Sequence, residues 1–128
     1  VLWAAKNAKS KHCFNYQLMR EMNQGKQMRN MWEISAPSGE EKKFGKHPTQ
    51  KPVELLKRII LASTKEGDLV LDPFCGSSTT GVASILLNRK YVGIDLEEEY
   101  LNLSVKRIEE AIAKKETKLF IDKKVSGL

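Results

Sequence analysis

The sequence predicts an α/β fold built on a parallel sheet, and three observations carry the prediction. Two short apolar runs, "DLVLD" and "YVGID", end on the acids Asp72 and Asp95. Each run leads into a stretch with helical spacing, and a third such stretch precedes the first run. The resulting order of helix, strand, helix, strand, helix is the rhythm of a parallel sheet joined by right-handed crossovers.

The elements follow in order along the chain. "VLWAAK" has strand character through Val1, Leu2 and Trp3, and it reads as the middle of a strand in a longer protein. "NYQLMREMN" places Leu18, Met19 and Met22 at helical spacing. "GKQMRNMWEI" then runs into "SAPSGEEKKFGKHPTQKP", where Gly, Pro, Ser and charges replace periodicity; a loop of that length in a compact domain has a purpose. "PVELLKRIILAST" puts Pro52 in the first turn of a helix, Leu55, Leu56, Ile59 and Ile60 on its core face, and Gly67 after its end. The two apolar runs read as strands buried on both faces. Between them, a helix from about Thr79 carries Val82, Ala83, Ile85, Leu86 and Leu87 toward Asn88. A long helix over "EEEYLNLSVKRIEEAIAKK" starts with acids where the helix dipole favours them, with a core stripe of Tyr100, Leu101, Val105, Ile108 and Ile112. "ETKLFIDKKVSGL" reads as an edge strand or a frayed tail. Trp3, Trp32, Met19, Met22, Met28 and Met31 read as core, and Cys75 as a small packing residue.

A length of 128 residues suits one domain that needs neither disulfides nor metals. Cys13 and Cys75 lie far apart, and no apolar run is long enough for a signal peptide or a membrane span. These features predict a soluble cytoplasmic protein with reduced thiols. The net charge of +6 is uneven: residues 1–66 hold 13 Lys and Arg against 6 Asp and Glu, and residues 67–128 hold 9 against 10. A basic first half is compatible with a phosphate-rich partner.

The chemistry concentrates in "LVLDPFCGSSTTG". A loop that leaves a strand, passes Gly76 and enters a helix near Ser78 lets a ligand approach the backbone and meet uncapped amides. An acid about twenty residues on, at the end of the next strand, suits ribose hydroxyls. Together these describe a site for an adenosine-bearing cofactor. A P-loop needs lysine where "GSSTTGV" has Val82, and a dinucleotide fingerprint needs more glycines than Gly76 and Gly81. S-adenosyl-L-methionine lacks phosphates and bears a sulfonium, an ammonium and a carboxylate, which fit Asp72 and Phe74 beside a helix start.

"DPFCGSSTTG" resembles the D-P-F-x-G-S-G-T-T motif of the amino-DNA methyltransferases. "KHPTQKPVELLKRII" resembles the element that precedes it in the β class, which methylates adenine at N6 or cytosine at N4. "GKQMRNMWEI" with "EKKFGKHPTQKP" is similar to adenine-specific members. The resemblance implies a Rossmann-like S-adenosylmethionine-dependent methyltransferase fold, incomplete in this chain, in a bacterial restriction-modification setting. Residues 1–128 would then be a single domain within a larger methyltransferase domain. Residues 1–46 would lie near the target-recognition region and residues 47–114 would form the cofactor-binding half.

Carried over by motif, the resemblance places Asp72, Phe74, Gly76, Ser77, Ser78 and Thr79 around the methionine part of the cofactor and Asp95 on its ribose. His47, Thr49, Gln50 and Lys51 would lie against it from the other side. Lys26, Arg29, Lys42, Lys43 and Lys46 would lie near double-stranded DNA. Ser78 departs from the motif, which has glycine there: at positive φ serine costs about 1 kcal/mol, whereas at a helix N-cap it is favourable. The motif glycine's absence implies weakened cofactor binding. The family's D-P-P-Y loop, which receives a flipped base, has no counterpart here, because the chain contains no Pro-Pro dipeptide. The catalytic part would belong to an upstream segment of the same protein, no catalytic residue would lie in this chain, and a homodimer is left open.

Overall fold

The computed structural model describes residues 1–125, with side chains to residue 122. Helix α1 (Tyr16–Met22) is followed by a single 3-10 turn (Glu40–Lys42), α2 (Val53–Ser63), β1 (Leu69–Asp72), α3 (Thr79–Leu86), β2 (Lys90–Gly93) and α4 (Glu98–Val125). The strands pair in parallel, Leu69 opposite Lys90 and Asp72 opposite Gly93, so β1–α3–β2 is a βαβ unit. Among the described residues no helix is long and apolar enough to cross a membrane.

Helix α2 is the element on which the basic first half docks. Asn15 donates its backbone N–H to Ala62 O (2.9 Å) and its side-chain amide to Leu61 O (2.7 Å) and Thr64 O (2.8 Å), which seats the start of α1 on the end of α2. Pro52 occupies the N-cap position just outside α2, one residue earlier than the sequence suggests. The helix ends at Ser63, with Thr64 extended, so Gly67 does not terminate it. With φ of +82°, Gly67 instead turns the chain into β1, its N–H reaching Asn88 O at 2.8 Å.

Half-buried Tyr91 organises the βαβ unit. A Cβ on Gly81 would lie 2.5 Å from the Tyr91 ring, and one on Gly93 would overlap its hydroxyl, so both positions require glycine for packing. Gly81, the last residue of the small-residue cluster, therefore serves the helix–strand contact. Burial pushes the Tyr91 phenol well above its ordinary pKa, and its hydroxyl pairs with Ser78 Oγ at 3.1 Å.

Several sequence expectations are corrected. The strands are not buried on both faces: Leu69 and Leu71 are 63% and 60% exposed, because their side chains point away from the face that α3 covers. Val1–Trp3 form no strand; Trp3 instead meets His12 and Phe14 edge-on, with ring centroids 5.5 and 5.6 Å away. The buried stripe of α4 is Leu103, Ser104, Arg107 and Ala111, with Tyr100 and Ile108 half-buried, while Leu101, Val105 and Ile112 face outward. Residues 116–125 continue α4 as helix and form no strand; residues 126–128 of that tail lie outside the described residues. Of the aromatic and methionine residues read as core, Met19 is fully buried, Trp32 and Met28 are partly so, and Trp3, Met22 and Met31 are exposed. Cys75 is buried, as expected.

Replacing Gly81 with alanine sets a helix-propensity gain of up to about 1 kcal/mol against overpacking of about 1–3 kcal/mol. Because the Tyr91 ring is confined by Gly93 as well, Gly81→Ala is expected to lower unfolding free energy by about 1–2 kcal/mol. Urea denaturation of parent and variant measures this, and a variant as stable as the parent contradicts the packing role.

Candidate functional site

The loop from β1 to α3 is built as a tethered arch. Asp72, the last residue of β1, accepts the Phe74 N–H at Oδ1 (3.2 Å) and the Thr80 hydroxyl at Oδ2 (2.6 Å). Cys75 donates its N–H to Ile94 O (2.9 Å), and Ser78 donates its N–H to Cys75 O (2.7 Å), closing the turn. Gly76 adopts φ of +51°, a left-handed conformation that glycine takes without a Cβ penalty. Its N–H goes to Asp95 Oδ2 (2.8 Å) and its carbonyl accepts from Ser104 Oγ (2.8 Å).

Arg107 holds the next part of the arch from beneath. The residue is 5% exposed, and its guanidinium donates to the Ser77 carbonyl, to Ser77 Oγ (2.9 Å) and to Thr79 Oγ1 (3.1 Å). Among the described residues no carboxylate forms an ion pair with it, and burial pulls its pKa below the ordinary arginine value.

Ser78 occupies the N-cap position of α3 with φ of +51° and ψ of +45°, and its side chain makes no capping bond. Ser78 is therefore the left-handed residue that glycine would suit better, and its hydroxyl serves Tyr91 instead of the helix.

The opposite wall comes from the segment before α2. The His47 ring lies where a Cβ on Gly76 would be, 2.9 Å from Nε2, and stacks edge-on with Tyr100 at 4.2 Å between centroids. Thr49 and Lys51 are tied locally, Thr49 N–H to His47 Nδ1 (3.2 Å) and Lys51 Nζ to Thr49 O (2.8 Å). Gln50 donates Nε2 to Glu41 O (2.9 Å), which leaves its buried Oε1 without a donor.

A cleft of about 200 Å³ lies between these walls. His47, Thr49, Gln50 and Lys51 line one side, and Asp72, Phe74, Gly76, Ser77 and Thr79 line the other. Two sequence motifs thus meet across one cavity. Ser78 is buried behind the arch, and Asp95 stands outside the lining, tethering Gly76 and accepting the Glu97 N–H at 3.0 Å. The amides of Glu97 and Gly76 hold the Asp95 carboxyl below its ordinary range, with His47 adding to the effect. Sequence reasoning missed Thr80, Ser104, Arg107 and Tyr91; the signal for Ser104 and Arg107 was their spacing from Tyr100, which puts all three on one helix face.

The cations expected near DNA have different surroundings. Lys26 and Arg29 are exposed, their carbonyls accepting from Asn23 Nδ2 (3.3 Å) and Trp32 Nε1 (2.7 Å). Lys42 ends the 3-10 turn, and Lys46 borders a hollow beside Glu98 and Glu99. Lys43 stands in an ion cluster: its ammonium pairs with Glu40 and Glu110, and Lys114 completes the cluster.

Fold and loop together define an α/β class in which a strand-end arch and a facing segment line a cleft at the end of a parallel strand. The chain belongs to the DNA methylase family, whose model matches residues 1–106. It is 58% identical over 110 residues to the type II methyltransferase M2.DpnII of Streptococcus pneumoniae, covering 85% of this chain and 41% of that protein. Similarity to M2.MboI of Moraxella bovis is 49% over 130 residues, covering 100% of this chain and 48% of that one. The crystal structure of an M1.HpyAVI–SAM complex superposes with a TM-score of 0.61 at 39% identity, over 78% of this chain and 45% of that one. The chain thus spans less than half the length of these relatives.

Two outcomes test the arch. Arg107→Met leaves the Ser77 carbonyl and the Thr79 hydroxyl without their donor, and an unfolding free energy lower by about 2–3 kcal/mol is expected from denaturant titration. Because the folded-state pKa of Asp95 is depressed, its tether to Gly76 is fully present above the ordinary carboxylate range and is lost as pH falls through the depressed value. The Gly76 amide should lose exchange protection over that acidic window in the parent and show no such step in Asp95→Asn, as read by NMR.

Proposed function

We propose that this chain is the cofactor-holding part of a β-class DNA methyltransferase that methylates adenine at N6 in double-stranded DNA, with S-adenosylmethionine as donor. One observation carries the reading: the two motifs resembling that family, separated in sequence, form opposite walls of one cleft. The cleft's chemistry fits the donor. Among the described residues no basic group forms a salt bridge with Asp72, so its carboxylate remains available to a cationic ligand group. Gln50 Oε1 is a buried acceptor awaiting an N–H. The volume is below the roughly 300–1,000 Å³ of a pocket that encloses a whole small molecule, so the ligand would extend over Phe74, which is 89% exposed.

S-adenosylmethionine supplies a methyl group already activated on sulfur. The protein's task is then orientation and electrostatics, not activation. Asp72 would face the positive charge, the αL turn at Gly76 would seat the His47 ring against the arch, and Asp95 would reach the ribose from behind the arch. The base would be flipped out and received by an upstream D-P-P-Y loop, whose position relative to the cleft sets the line of displacement. Adenine is favoured over cytosine by the resemblance of "GKQMRNMWEI" to adenine-specific members.

The test uses the full-length protein, DNA and radiolabelled donor, with nucleoside analysis of the product. N6-methyladenine is the expected product, and Asp72→Ala is expected to raise the donor KM by at least about tenfold. N4-methylcytosine would overturn the base assignment, and donor binding without transfer would identify a non-catalytic remnant.

A further inference from the structure

Residues 40–51 deliver one wall of the cleft, and Glu41 is where that segment is pinned to α2. Pro52 sits at the N-cap of α2 and has no side-chain acceptor to offer, so the Val53 N–H needs one from elsewhere. Glu41 Oε2 supplies it at 3.0 Å. The backbone carbonyl of the same residue accepts Gln50 Nε2 at 2.9 Å. A carbonyl oxygen can only accept, so the Gln50 amide must turn its nitrogen toward Glu41 and its oxygen away. That oxygen is buried and has no protein donor, and its residue lines the cleft. Buried unpaired acceptors are rare and costly, and a ligand that completes them explains their retention.

We propose that Glu41 is a positioning residue for cofactor binding: its side chain caps α2, its carbonyl orients Gln50, and Gln50 Oε1 is thereby presented to an N–H of the ligand. This rests on the reading of the cleft as the S-adenosylmethionine site. Glu41 is not among the residues carried over to the cofactor, and its own amide is fixed by Ser38 Oγ at 3.2 Å, so the pin is itself held.

The experiment is a double-mutant cycle on the full-length protein, with S-adenosylmethionine affinity measured by calorimetry and Gln50 side-chain amide resonances recorded without ligand. Glu41→Ala keeps the carbonyl but releases it from α2, and is expected to weaken binding about tenfold and to shift those resonances from their parent positions. Glu41→Gln keeps an oxygen acceptor for Val53 and is expected to bind within about twofold of the parent. Gln50→Ala weakens binding by itself, and adding Glu41→Ala weakens it no further. Multiplying effects in the double variant, or unmoved Gln50 resonances in Glu41→Ala, would overturn the proposal. A parent that fails to bind the donor overturns the assignment of the cleft instead, and the ligand-free resonances still report whether Glu41 orients Gln50.

Discussion

The structure depends on one buried guanidinium. Arg107 reaches from α4 into the underside of the β1–α3 loop and bonds Ser77 and Thr79, without an ion-pair partner among the described residues. Burying a charge on neutral acceptors is expensive unless several of them converge on it. That requirement fixes the rotation of α4: once Arg107 points inward, Ser104 must follow one turn earlier and Tyr100 two turns earlier. Ser104 then bonds Gly76, and Tyr100 supports His47. One electrostatic constraint thus sets the floor of the cleft and the backing of its far wall.

A second constraint is steric. Tyr91 fills the space between α3 and β2 that Gly81 and Gly93 leave vacant, and its hydroxyl takes up Ser78. The left-handed serine is consequently part of the layer behind the cleft. Its departure from the family glycine replaces a conformationally free residue with one anchored to the Tyr91 phenol, so strain and tether enter together.

Legibility in the sequence followed chemistry more than periodicity. The strand-end acids and the small-residue turn were readable because few residue types tolerate those backbone positions, and Gly76 and Ser78 do take positive φ. Convergence of "HPTQKP" with "DPFCGSSTT" was readable from resemblance, since nothing local brings Gln50 to Asp72. What escaped was the polar interior. The stripe predicted for α4 was turned by one residue because serine and arginine count as surface in any apolar pattern, yet here they are the buried face. Strand burial was overstated for a related reason: an unbroken apolar run looks alike whether one face or both are covered. Of the partners of Lys43, Glu40 stands three positions away, but Glu110 lies 67 positions away and is brought to it only by the fold.

Gly76 carries a consequence for molecular recognition. Its N–H is committed to Asp95 and its carbonyl to Ser104, so both of its polar groups are saturated within the protein. The side on which its Cβ would stand is already filled by the His47 ring, so this buried glycine acts by letting His47 close on the turn and offers a ligand neither of its polar groups. The arch is also hydrogen-bonded within the protein at Asp72, Gly76, Ser77 and Thr79. Recognition at this turn is therefore lock-and-key in character, and affinity gained there comes from van der Waals fit against a ready-made mould.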